Sequence, residues 1–139
     1  MNNEKYDEAI EILETFIKHY GKTVNTLTNL SKAYYYKGNE KYARELILEG
    51  LNLDPNQEYA LEWWIEMNKD NEINAIQQIS KIKNAWLPKL YEALFFIDSD
   101  QNYSMNLYKQ VLNDLSGNIE IQSEALNNIM LDLCSIKKY

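Results

Sequence analysis

Apolar residues in this chain recur at helical spacing, segment after segment, and almost nothing interrupts them. In the opening segment Tyr6, Ala9, Ile10, Leu13, Phe16, Ile17 and Tyr20 follow i, i+3, i+4, i+7 spacing, which places them on one stripe of a helix. With four Gly and two Pro in 139 residues, the usual breakers of regular structure are scarce. The pattern predicts an all-α chain of about eight helices. Gly21 ends the first, over 3–20. Thr23 or Asn25 can cap the second, over 24–37, which stops near Gly38. A third over 40–53 ends before Asp54-Pro55-Asn56, where proline cannot continue the helical bonding.

Tyr59, Ala60, Trp63, Trp64 and Met67 mark a fourth helix, and Ile73, Ala75, Ile76, Ile79 and Ile82 a fifth. Trp86-Leu87-Pro88 opens a sixth, since proline fits a first turn whose N–H groups lack partners anyway. Asp98-Ser99-Asp100 breaks the chain before a seventh helix carrying Tyr103, Leu107, Tyr108, Val111 and Leu112. The eighth spans roughly 119 to 137, with Glu120, Glu124, Asn127, Asn128 and Asp132 outward as a closing cap. Connections of a few polar residues imply antiparallel neighbours and one domain over 1–139.

Charge and composition narrow the function. The formal charge of −7, from 21 Asp+Glu against 14 Lys+Arg, suits a polyphosphate backbone poorly, which argues against nucleic acid. No apolar run is long enough to span a bilayer, and the start, MNNEKYDEAIEILE, lacks the order of a secretory signal; no membrane association is expected. The lone Cys134 cannot form an internal disulfide, consistent with a reducing cytoplasm. The abundance of Asn and the preference for Lys over Arg suggest a bacterial source with an AT-rich genome. No local spacing of a catalytic or metal site is present, so neither catalytic residues, metal nor cofactor is expected. His19 reads as a dipole-compatible residue in the last turn of the first helix, and Cys134 as a small buried hydrophobe.

The segment from Leu27 to Pro55 carries an internal pattern. Leu27, Leu30, Ser31 and Tyr34, then Ala43, Ile47 and Pro55, fall on the pattern W-x2-L-G-x2-Y, A-x3-F, P of a 34-residue helical hairpin. This segment resembles a tetratricopeptide repeat. Ser31, Ala43 and Gly50 are the small residues that let two backbones approach, with Tyr34, Leu46 and Ile47 filling the space beside them. Weaker echoes surround it: a truncated repeat helix over 1–22, the best repeat over 23–56, a short repeat over 57–84, a degenerate one over 85–115 with Ser104 in the small slot, and the cap over 116–139.

The resemblance implies a right-handed α-α superhelix whose first helices, here the second, fourth and sixth, line a concave groove that holds a peptide or partner protein. Leu27, Leu30, Tyr34, Leu61, Trp64, Tyr91 and Phe95 are expected to face the core. Helical geometry then turns Asn29, Lys32, Tyr36, Tyr59, Glu62, Trp63, Glu66, Trp86, Lys89 and Ala93 toward the groove. Rings supply rigid contact area there, and amides or charges fix register. Trp63 and Trp86 have a second reading, as filler between a short repeat and its neighbour. Asn29 and Lys32 resemble part of a clamp for a chain-terminal carboxylate, but Glu62, Trp63, Lys89 and Leu90 stand where further donors would be needed. Glu62 and Glu66 favour a ligand with some basic character.

The expectation is therefore a non-catalytic interaction scaffold. The alternative is a homodimer through the wide stripe of the first helix, which also includes Ile12. A peptide-sensing regulatory domain ranks third, since the chain has no basic recognition helix.

Overall fold

The computed structural model describes residues 3–115, and among these every regular element is helical. The elements are α1 (Asn3–Tyr20), α2 (Val24–Lys37), α3 (Glu40–Leu53), α4 (Glu58–Met67), α5 (Glu72–Ser80), α6 (Trp86–Phe96) and α7 (Gln101–Asp114), with a 3-10 turn at Lys69–Asn71. The expected eighth helix and its capping role, together with Cys134, lie outside the described residues. The chain divides into two compact units, Met1–Lys69 and Asp70–Tyr139.

Helix boundaries follow from local chemistry. Thr23, not Asn25, caps α2: its Oγ1 accepts from the Thr26 N–H at 3.1 Å, and Thr26 Oγ1 accepts from the Thr23 N–H at 3.0 Å. That reciprocal pair satisfies two donors a helix start would otherwise leave open. Gly38, at φ +106°, closes α2 in the left-handed conformation, and its N–H reaches the Tyr35 carbonyl at 3.1 Å. Asn39 and Asp100 cap α3 and α7 by accepting from the Tyr42 and Tyr103 N–H groups. Pro88 lies in the first turn of α6, as its missing N–H requires.

In the first unit α2 packs against α1, α3 and α4. Ile10, Leu27, Leu30, Ala33 and Leu46 form one apolar cluster, flanked by Ala9, Leu13, Ile17 and Tyr34. Ser31 works harder than a spacer. Its hydroxyl donates to the Ala43 carbonyl of α3 at 2.7 Å and accepts the Trp63 indole N–H of α4 at 2.9 Å, all in the interior. Three helices are thereby joined through one buried oxygen whose polar cost is offset on both sides. The chain's single arginine, Arg44, fastens α3 to the end of α4: it donates to Asn68 Oδ1 at 2.7 Å and to the Met67 carbonyl at 3.2 Å, with its guanidinium 5.8 Å from the Trp64 ring centroid.

In the second unit α6 packs against both α5 and α7. Leu90, Ala93, Leu107, Tyr108, Val111 and Leu115 form its core, with Trp86, Ile97, Met105 and Leu112 against it. Ser104 repeats the device of Ser31, donating from α7 to the Ala93 carbonyl of α6 at 2.7 Å. One expectation fails here. Phe95, assigned to the core, is 53% exposed, because α6 turns Leu90 and Ala93 inward instead; Phe95 finds its ring contact with neighbouring Phe96.

Candidate functional site

The first unit gathers five of the expected groove residues into one continuous face on α2 and α4. Asn29, Lys32 and Tyr36 recur along α2 at i, i+3, i+7, and Tyr59 and Trp63 at i, i+4 along α4, so the packing of the two helices sets the rows side by side. Tyr59 donates its phenol proton to Asn29 Oδ1 at 2.6 Å. The Lys32 ammonium lies 4.2 Å from the Tyr59 ring centroid and 5.3 Å from that of Trp63. Such cation–π contacts contribute about 0.5–1 kcal/mol at exposed sites, enough to hold a long side chain over the rings. Among the described residues Lys32 has no ion pair, so its charge is not committed to a carboxylate.

The rings continue beyond these two. Tyr36 lies 5.9 Å from Trp63 and stacks on Tyr6 of α1 at 5.9 Å, while Tyr35 meets Trp63 edge-on at 5.2 Å. Tyr36 and Tyr59 are 45% and 40% exposed, whereas Trp63 is 5% exposed and gives its N–H to Ser31. Trp63 is therefore the floor under Lys32 and Tyr36, not a projecting contact. Glu62 and Glu66 are exposed one turn apart on α4.

Tyr6 and Tyr35 belong to this face although sequence reasoning did not assign them to it. Tyr6 lies on the apolar stripe of α1, and three consecutive tyrosines at 34–36 mean that at least one must face away from the α2 core. Tyr34 takes the inward role, half-buried, donating to Glu14 Oε1 of α1 at 2.7 Å. Burial, with help from that carboxylate, pushes the Tyr34 phenol up to about 12.

The three remaining expected residues, Trp86, Lys89 and Ala93, lie in the second unit, where Ala93 is not on a groove but fully buried in the α6–α7 core. Trp86, half-buried, packs on the α6–α7 core, and Lys89 is ion-paired with Asp114 at 2.5 Å in a largely enclosed position. No helix among the described residues is long and apolar enough to cross a membrane. Comparison with protein-family models, curated proteins and solved structures finds no match, so the family expectation rests on the residues of this chain alone.

Proposed function

We propose that the chain is a tetratricopeptide-like, non-catalytic scaffold of the cytoplasm that holds an extended peptide or partner-protein segment on the α2–α4 face. The observation that carries this reading is the ordered row of Asn29, Tyr59, Lys32 and Tyr36 over the buried indole of Trp63. A recognition surface gains from side chains held in place before the ligand arrives, because less entropy is then lost on binding. Here a phenol–amide hydrogen bond and two ring contacts fix the donors. The Asn29 amide N–H groups and the Lys32 ammonium are suited to the carbonyls of a peptide backbone, and Tyr36 and Tyr59 offer flat area beside them. Glu62 and Glu66, on the same helix as Tyr59, favour a segment carrying basic residues. Packing of α2 against both α3 and α4, with Ser31 and Ala43 at the close contact, supports the repeat reading of this unit.

Selection of a random-peptide display library on the immobilised full chain tests this. Enriched peptides should lose about tenfold in affinity, or ~1.4 kcal/mol, on Lys32→Ala or Tyr36→Ala, with helicity unchanged by circular dichroism. Peptides that bind both variants as well as the parent would refute the assignment.

A second reading is favoured by one observation on α1. Ile12, Phe16 and Tyr20 stand four residues apart and are 69%, 43% and 76% exposed, with the Phe16 and Tyr20 rings 4.8 Å apart. This apolar stripe suits self-association of two chains. Sedimentation equilibrium should then show a dimer that Phe16→Glu dissociates; a monomer at every concentration would exclude it.

A further inference from the structure

Within the second unit, α5, α6 and α7 enclose an open cavity of about 460 Å3 lined by Gln77, Ser80 and Lys81, then Lys89 and Glu92, then Tyr103, Leu107 and Gln110. The Glu92 side chain is the unusual element. The residue is 3% exposed, yet among the described residues no cation lies within ion-pair range of its carboxylate, because Lys89, one turn away, is committed to Asp114. Two neutral donors converge on a single oxygen, Oε1: the Tyr103 phenol and, at 3.3 Å, the Gln77 amide. No described group donates to Oε2. Holding the proton against this carboxylate raises the Tyr103 phenol above its ordinary range, with burial adding to the effect.

A buried carboxylate costs free energy unless it is paired, and two neutral hydrogen bonds on one oxygen offset only part of that cost. A cation entering the cavity would complete the pairing with the carboxylate already oriented. Among the described residues the other charge in the lining without an ion pair is Lys81, which is exposed and can donate, as can the Gln110 amide. Such a lining disfavours a polycation and suits one cationic nitrogen with an oxygen acceptor elsewhere in the same molecule.

We infer that this cavity is a binding site for a single alkylammonium or guanidinium group attached to a carbonyl-bearing frame, with Glu92 as its counter-charge and Tyr103 and Gln77 as positioning residues. The site is independent of the α2–α4 face. The test is an NMR titration of the full chain with Nα-acetyl-arginine amide and Nα-acetyl-lysine amide, against their neutral counterparts Nα-acetyl-citrulline amide and Nα-acetyl-norleucine amide. The cationic probes should give saturable shifts at Gln77, Glu92 and Tyr103, and the neutral ones should bind at least about tenfold more weakly, the loss of one charge-assisted hydrogen bond. Glu92→Gln should weaken the cationic probes by a similar factor. Agmatine, a dication without a carbonyl, should bind more weakly than the acetylated amides; tighter binding would contradict a site built for one cationic group on a carbonyl-bearing frame. Equal binding of neutral and cationic probes, or no saturable shifts in the cavity, would overturn the inference even if Glu92→Gln did not fold.

Discussion

Replacing Ser31 with alanine removes one oxygen from the interior and leaves two groups to find other partners. The Ala43 carbonyl sits inside α3 and keeps its helical bonding, so its loss is small. The Trp63 indole N–H has no such reserve: it loses the acceptor at 2.9 Å in a residue that is 5% exposed. Leaving a buried donor unsatisfied costs about 1–3 kcal/mol, while alanine's better helix propensity returns a few tenths. The expected net loss is about 1–2 kcal/mol, measured by urea unfolding followed by far-UV circular dichroism. In a unit of this size each kcal/mol lowers the melting temperature by roughly 4–8 °C. The diagnostic arm is Trp63→Phe, which removes the donor itself. In that background Ser31→Ala should cost about 1 kcal/mol less than in the parent chain, because no N–H remains to be orphaned. Equal costs in both backgrounds would show that the buried relay does not join α4 to α2.

Gly50→Ala should be stabilising by about 0.5–1 kcal/mol in chemical denaturation, since an added Cβ would meet Leu27 Cβ at 3.5 Å, an ordinary contact, and α3 gains helix propensity. Arg44→Met should cost about 1–3 kcal/mol by the same measurement, because the Met67 carbonyl and Asn68 amide at the end of α4 lose a charged donor. Alkaline titration followed by tyrosinate absorbance should show one phenol ionising near pH 12, and Tyr34→Phe should abolish that step. Because the folded value lies above the unfolded value of 10.0, the contribution of Tyr34 to stability is complete below about pH 10 and is lost as pH rises through the folded value.

The periodicity of the chain carried most of the helical architecture. The boundaries of α1, α2 and α3 agree with the expected 3–20, 24–37 and 40–53 because each ends on a residue with a local physical reason to stop it: Gly21 and Gly38 at positive φ, and Asp54 before Pro55. Such signals act within a few residues and are legible in one dimension. The α5–α6 connection was less so, since its left-handed residue is Asn84, at φ 62°, in a chain where asparagine is common. Facing directions on α6 were also hard to read, because Leu90, Tyr91, Leu94, Phe95 and Phe96 surround much of the helix and no polar stripe marks the outside. Phe95 was misplaced for that reason.

Of the candidate site, the α2 and α4 rows were legible from spacing, but the role of Trp63 was not. Its inward turn depends on Ser31 offering a buried acceptor from another helix, thirty-two positions away in sequence. Gly50 was read as needed for close approach, yet the space beside it accommodates a methyl group. The Glu92 cavity left no trace in the sequence, since a glutamate within an apolar helix reads like any solvated charge until Tyr103 and Gln77 are brought to it.

Recognition through the α2–α4 face is the proposal on which the function of this chain rests. Backbone amide shifts of the full chain, recorded on titration with a peptide selected on it, show where a ligand sits. The largest changes should fall on 29–36 and 59–66. Changes concentrated on Ile12, Phe16 and Tyr20 of α1, with that face silent, would contradict it.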